Sequence, residues 1–243
     1  MLPEVDRLQI VKLAKIAKTA GSRGTQRSGT GSRSLSKTRA AQEEVVCVSV
    51  QSVAAADPSI VALLRSRTQD AHSALEAQLG LLDRPASADY YAHLLLRFLG
   101  FHLVWENDLQ EFPTLARELK TRSRIRNLRD DLRTLGLTDA EISCVPLCGD
   151  AHRVTLDEAR ALGSFYVLEG STLGGQLITK HLSGAGWLPA EGLSYFNPYG
   201  SRTGVMWRSF KKCIESQAER HAAADIVAGA RGTFVVLQKW LSE

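Results

Sequence analysis

The residues with the most to offer chemically fall in two short segments. The first is Leu168-Glu169-Gly170-Ser171-Thr172-Leu173-Gly174-Gly175-Gln176, inside a stretch whose apolar spacing predicts one helix running through Phe165 towards His181. A glycine within a helix costs about 1 kcal/mol relative to alanine, so three in six residues need a reason. Gly170 and Gly174 are four apart and share a face, where missing side chains bare the backbone and permit a kink. A flat molecule can lie against such a face; close packing by a neighbouring helix, or a loop dividing two helices, explains the glycines equally well. The second segment carries His72, seven residues after Arg65 and four before Glu76. Nearly two turns separate the cation from the imidazole, about 10 Å along one side of a helix. An imidazole that ligates a metal and a guanidinium that pairs with carboxylates, so spaced, suit a planar iron macrocycle with acidic arms. A hydrogen-bonded or exposed histidine is the plainer alternative, and His102, on an apolar helix face, is the rival ligand.

Other candidates carry less. Cys144 and Cys148 have no second pair of ligands to complete a zinc tetrahedron and read as incidental thiols. The chain contains no P-loop, dinucleotide glycine fingerprint, nucleophile elbow or zinc-protease motif. Arg202, Arg208, Lys211 and Lys212 form a basic patch, which reads either as a solvated face or as a carboxylate-binding one.

The elements that must position these groups are helices. Asp57-Pro58 reads as an N-cap and first-turn proline for a helix with Ile60, Leu64, Ala71, Leu75 and Leu79 on one face, ending at Gly80. A second helix begins near Ser87, places Tyr91, Leu94, Leu95, Phe98, His102, Trp105 and Leu109 three or four apart, and stops at Pro113. Residues 122-135 read as an amphipathic surface helix, with Arg124, Arg126, Arg129, Asp130 and Arg133 around the solvated part. Thr138 with Glu141, and Thr155 with Glu158, have capping-box spacing. After a Gly-, Pro- and Asn-rich loop at 183-200, two more helices follow, marked by Met206, Phe210, Cys213 and Ile214 and by Ile226, Val227, Ala230, Phe234, Leu237 and Leu241. Strand-like alternation is nearly absent, so the expected fold is all-α, one helical domain over 58-243.

Composition narrows the function classes. With 44% hydrophobic and 23% charged residues in 243, the chain matches ordinary globular protein, and no apolar run is long enough to span a membrane. The net charge of +4 is unevenly placed: residues 1-42 hold nine basic and two acidic side chains, a balance of +7, and the other 201 residues hold 21 and 24, a balance of −3. A nucleic-acid-binding body is therefore not indicated. Residues 20-40 are Gly/Ser/Thr/Arg-rich and short of apolar groups, and 1-57 as a whole reads as a low-complexity basic extension that is mostly disordered. Four cysteines cannot build a disulfide framework, which fits a reducing compartment and a cytoplasmic location.

Taken together, these pieces resemble the biliverdin-producing heme oxygenases, in particular the bacterial type found alongside bacteriophytochromes. The resemblance covers about residues 58-243. It rests on Leu64-Arg65-x-x-Thr68-x-x-Ala71-His72-x-x-x-Glu76, on Tyr166-Val167-Leu168-Glu169-Gly170-Ser171-Thr172-Leu173-Gly174-Gly175-Gln176, on Tyr199-Gly200 through Trp207-Arg208-Ser209-Phe210, and on Phe234-x-x-Leu237-x-x-Trp240-Leu241. The second block is the most specific. The resemblance implies an axial iron ligand at His72, catalytic roles at Gly170, Ser171 and Gly174, and heme-binding roles at Arg65, Thr68, Glu76, Tyr166, Gly175 and Arg208. Arg65 and Arg208 fall where the family places propionate partners. Many members carry an aspartate directly after the first distal glycine, where this chain has Ser171, which leaves open the group that orders the distal water.

The implied reaction takes heme, both substrate and cofactor, with O2 and external electrons to biliverdin, CO and ferrous iron. No flavin or nicotinamide signature is present, so a separate reductase or ferredoxin is the implied electron donor, and a biliverdin-accepting phytochrome is a further partner. Two other readings share the fold: a catalytically impaired heme carrier or sensor, motivated by Ser171, and a thiaminase-like enzyme using Cys213 as nucleophile. Deleting residues 1-57 is expected to leave heme affinity and product unchanged, checked by heme titration and pigment analysis; a large fall in the unfolding midpoint contradicts the disorder expected there.

Overall fold

The computed structural model describes residues 59–82 and 87–243. The basic extension and the Asp57-Pro58 cap lie outside the described residues. Among the described residues the regular structure is helical, in eight α-helices: α1 (Ile60–Leu79), α2 (Ala88–Asp108), α3 (Pro113–Leu119), α4 (Ile125–Thr134), α5 (Asp139–Ser143), α6 (Glu158–Leu182), α7 (Thr203–Ala218) and α8 (Ala223–Trp240). Short 3-10 turns at Leu109–Glu111, Gly149–Val154, Ala190–Leu193 and Gly200–Arg202 link them. No helix among the described residues is long and apolar enough to cross a membrane.

Local chemistry sets the ends. Ser59 caps α1 by accepting from the Ala62 amide, and Gly80, with φ of 58°, closes it in the left-handed region. Thr138 and Glu141 form the expected capping box at α5. The corresponding pair ahead of α6 does not form. Asp157 caps that helix at the Arg160 amide, and Thr155 instead donates to Asp108 at 2.5 Å. Pro113 ends α2 only indirectly, because it opens α3 from the first helical position, where no amide hydrogen is needed.

The core is built around α6 and α8. Their crossing is a backbone contact: a Cβ on Gly163 would lie 1.8 Å from the Ile226 carbonyl oxygen, and one on Gly229 would lie 2.1 Å from that of Arg160. Trp105 of α2 meets the edge of Phe165 on α6 and donates to the Ser164 hydroxyl at 2.8 Å. The far end of α8 is locked to α2 reciprocally. Arg97 Nε donates to the Trp240 carbonyl at 2.9 Å, Trp240 Nε1 returns a bond to the Arg97 carbonyl at 2.6 Å, and the guanidinium lies 3.3 Å over the indole.

The helix over Ile125–Thr134 is more than a surface element. Asp131 is buried and accepts from the amides of Ser194 and Tyr195 and from the Ser194 hydroxyl, pinning the loop ahead of α7. Arg124, expected among solvated charges, is buried as well. At the α6–α8 crossing, Gly163→Ala is expected to destabilise the protein by about 3 kcal/mol or more, because neither backbone can retreat. Urea unfolding checks this, with an exposed glycine, Gly136→Ala excepted for its positive φ, as control.

Candidate functional site

α6 is one uninterrupted helix through its glycine-rich segment, with neither a dividing loop nor a break. Gly163, Tyr166, Gly170, Gly174 and Leu177 recur at three- and four-residue intervals and so form one stripe. α8 covers that stripe at Gly163 and leaves it further along. A Cβ on Gly170 would meet only the Trp207 ring, at 3.8 Å, and one on Gly174 would meet nothing within 4 Å. Leu173 and Leu177, beside these glycines, are 43% and 37% exposed. The result is a bare apolar surface with accessible backbone at its centre. Tyr166 bounds it, half-buried, its ring 5.7 Å from that of Trp207.

Gly175 faces away from this surface. Its missing Cβ would lie 2.0 Å from the Phe196 carbonyl oxygen, so close packing against the loop accounts for it. Ser171 is exposed, but its hydroxyl donates to the Leu168 carbonyl of its own helix at 2.7 Å. Toward any group in front of the helix it therefore presents lone pairs.

α1 and α6 each pack on α7 and α8 while scarcely touching one another. Arg65 of α1 nevertheless comes near enough to Tyr166 of α6 to favour its ionised form, against a larger opposing effect of burial that leaves the phenol pKa raised. His72 lies further along α1, its side chain 49% exposed and its ring edge-on to Phe234 of α8 at 5.9 Å. Nδ1 of His72 is 3.3 Å from a Glu76 carboxylate oxygen, and Nε2 makes no hydrogen bond among the described residues. The hydrogen bond that Nδ1 donates to the Glu76 carboxylate raises the imidazole pKa; burial opposes it and the carboxylate charge adds to it. A carboxylate on one ring nitrogen fixes the tautomer and makes the other a better metal ligand. Thr68, between Arg65 and His72, is turned inward, donating to the Leu64 carbonyl at 2.8 Å.

Arg208 is exposed on α7 and makes no ion pair among the described residues. With Lys211, Lys212, Glu215, Ser59 and Val61 it lines an open cleft of about 540 Å³ between α7 and the start of α1. A smaller recess of about 220 Å³, lined by Cys148, Asp150, Lys239 and Glu243 among others, holds none of the residues expected to bind heme.

The rival groups are placed otherwise. His102 is 1% exposed, with Nδ1 bound to Glu106 at 3.0 Å and Nε2 3.4 Å from the Tyr195 hydroxyl, so both nitrogens are occupied in the core. Cys213 is half-buried, and burial pushes its thiol pKa up, the opposite of an activated nucleophile. Sequence reasoning missed a buried ionic cluster on another side of α6. Glu169 accepts from Arg122, from Arg124 at 2.7 Å and from the Tyr199 hydroxyl at 2.7 Å. Burial pushes the Tyr199 pKa up to about 12, so this phenol donates as a neutral group. Glu169 sat in the quoted motif, but nothing in its spacing shows that two arginines 45 and 47 residues away converge on it.

Comparison with known proteins agrees with this architecture. The sequence model of the family described as Heme oxygenase matches residues 59–243. A heme oxygenase of Xanthomonas campestris pv. campestris is 31% identical over 150 residues, which are 60% of this chain and 86% of that protein. Heme oxygenase from Leptospira interrogans superposes with a TM-score of 0.62 at 19% identity, over 76% of this chain and 99% of its own. Heme oxygenase-2 of Synechocystis sp. PCC 6803, solved with heme and NO, gives 0.63 at 16% identity, over 76% and 84%. The match of the family model over most of the chain decides the assignment: this protein belongs to the heme oxygenase family.

Proposed function

We propose that this protein binds heme between α1 and α6 and cleaves it, with O2 and externally supplied electrons, to biliverdin, CO and ferrous iron. The observation that carries this reading is the pairing of a bare apolar backbone stripe on α6 with a histidine on α1 whose Nε2 is free and whose Nδ1 is held by a carboxylate. The residues present fit the group: a flat apolar face, an oriented imidazole and unpaired arginines are what a macrocycle with two carboxylate arms requires.

Heme supplies both the iron that activates O2 and the meso carbon that is attacked. His72 would hold the iron, and Glu76, accepting from Nδ1, would keep the ring orientation. Gly170 and Gly174 would let the backbone come close to the bound group where a side chain would otherwise stand, and so would restrict a small ligand there. Tyr166, Leu173 and Leu177 exclude water over the ring. Arg65 and Arg208 would pair with the propionates and so orient the macrocycle, which bears on which meso carbon is exposed. Gly175 contributes by letting α6 seat against the loop, and Thr68 by supporting the inner side of α1. With its proton on Leu168, Ser171 serves as an acceptor that orients distal water rather than as a direct donor. Electrons come from a reductase or ferredoxin, the setting is cytoplasmic, and a phytochrome is a suitable acceptor of the pigment.

Purified protein given heme, reductant and air is expected to yield biliverdin and CO; no green product and no CO ends the reading, and bound heme that persists unchanged favours a carrier or sensor. His72→Ala is expected to remove the histidine-ligated heme spectrum and most turnover while the far-ultraviolet circular dichroism stays helical. Gly174→Ala separates site from scaffold. The new methyl meets open space, so apoprotein stability should hold or rise by up to about 1 kcal/mol, while turnover falls. Parallel unfolding and turnover measurements check this.

A further inference from the structure

Glu169 directly precedes the first bare glycine, about 100° round the helix from it. It is 1% exposed, and its three donors come from two stretches: Arg122 and Arg124 from the turn between α3 and α4, and Tyr199 from the loop ahead of α7. Arg122 also pairs with Glu118 through Nε at 3.0 Å, so two guanidinium groups meet two carboxylates. Burial alone favours a neutral Arg122, but Glu169 and Glu118 outweigh it and its pKa is raised. A buried ionic set carries a heavy desolvation cost and is weak evidence for stability, whereas its directional bonds fix geometry closely.

The geometry it fixes is that of the bare stripe. Arg122 donates to the Met206 carbonyl of α7 at 3.3 and 3.4 Å through its two terminal nitrogens. Met206 immediately precedes Trp207, the one neighbour of Gly170's missing Cβ, and stands two residues before Arg208. A single guanidinium thus ties the residue before the distal glycine to the residue before its opposing indole. Along Gly170 to Gly174 there is no side chain on the stripe to hold α6 against α7, so roll and slide of this part of the helix are set from the clamped side.

We infer that the Glu169–Arg122–Arg124–Tyr199 cluster is a positioning device that sets the height of the Gly170–Gly174 backbone relative to Trp207 and Arg208, and thereby selects which meso carbon is attacked. None of the four touches the proposed heme, so they are positioning residues. The inference rests on the heme-cleaving reading above and deepens it.

The test uses the full chain loaded with heme. Tyr199→Phe keeps the ring that stacks 4.5 Å from the Arg124 guanidinium and removes one donor to Glu169. It should fold, with heme affinity within about fivefold of wild type, the scale of one net hydrogen bond. Resonance Raman spectra of the ferrous and CO-bound forms are expected to show an unmoved iron–histidine band and a shifted iron–CO band. Chromatography of the pigment is expected to show a second biliverdin isomer, more of it in Glu169→Gln and less in Glu169→Asp. Unmoved bands and one isomer in every folded variant, with only stability lost, overturn the inference and leave the heme-cleaving reading intact. Wild type that binds heme through His72 without converting it ends the activity reading, and the iron–CO band still decides whether the cluster positions α6. Wild type that takes up no histidine-ligated heme overturns both.

Discussion

Where α6 and α8 cross, two backbones touch without side chains between them, and the rest of the structure depends on that contact. Gly163 and Gly229 each sit against a carbonyl of the other helix, closer than any Cβ allows. Such proximity brings Phe165 and Leu162 of α6 and Ile226 and Ala230 of α8 into one core, against which Trp105 of α2 and Phe210 of α7 then pack. It also holds α8 in place as the platform for α1, whose His72 meets α8 through Phe234.

The glycines of α6 divide into two groups with opposite physical meaning. Gly163 and Gly175 are small because backbone presses on them, while Gly170 and Gly174 are small although almost nothing does. In a helix the second group is a standing cost without a packing return. A protein keeps such residues where a ligand needs the room, and they stand on the part of the stripe that α8 has just left bare. The same helix presents three environments within two turns: bare apolar surface at Gly170, a buried carboxylate at Glu169 and a tight backbone contact at Gly175.

Much of this was legible in the sequence because it was written in local terms. Apolar spacing marked the long helices, Gly80 marked the end of α1, and Thr138 with Glu141 marked the start of α5. Glycines four apart, with a histidine and an arginine two turns apart on another helix, pointed to the two elements that flank the proposed site. What stayed hidden depended on contacts between distant segments. Arg124 carries the spacing of a solvated charge and nothing in the spacing marks Asp131, and only the partners supplied by α6 and the loop before α7 account for their burial. The two glycine types are identical in sequence and differ only in what stands opposite. His102 looked like a ligand because it lies on an apolar face; the Glu106 and Tyr195 groups that occupy it come from the fold.

The reciprocal lock between Arg97 and Trp240 bears on how the chain is made. α1 has its main support on α8, and α2 is fastened to the last turn of α8 by three hydrogen bonds and a stacked guanidinium. A ribosome releases the chain from its N-terminal side, so the first two helices emerge well before the helix that completes their burial. Their apolar faces must wait through most of translation, and pairings this distant in sequence slow the final closure. Synthesis, rather than the finished protein, is thus the interval in which this architecture is most exposed to aggregation.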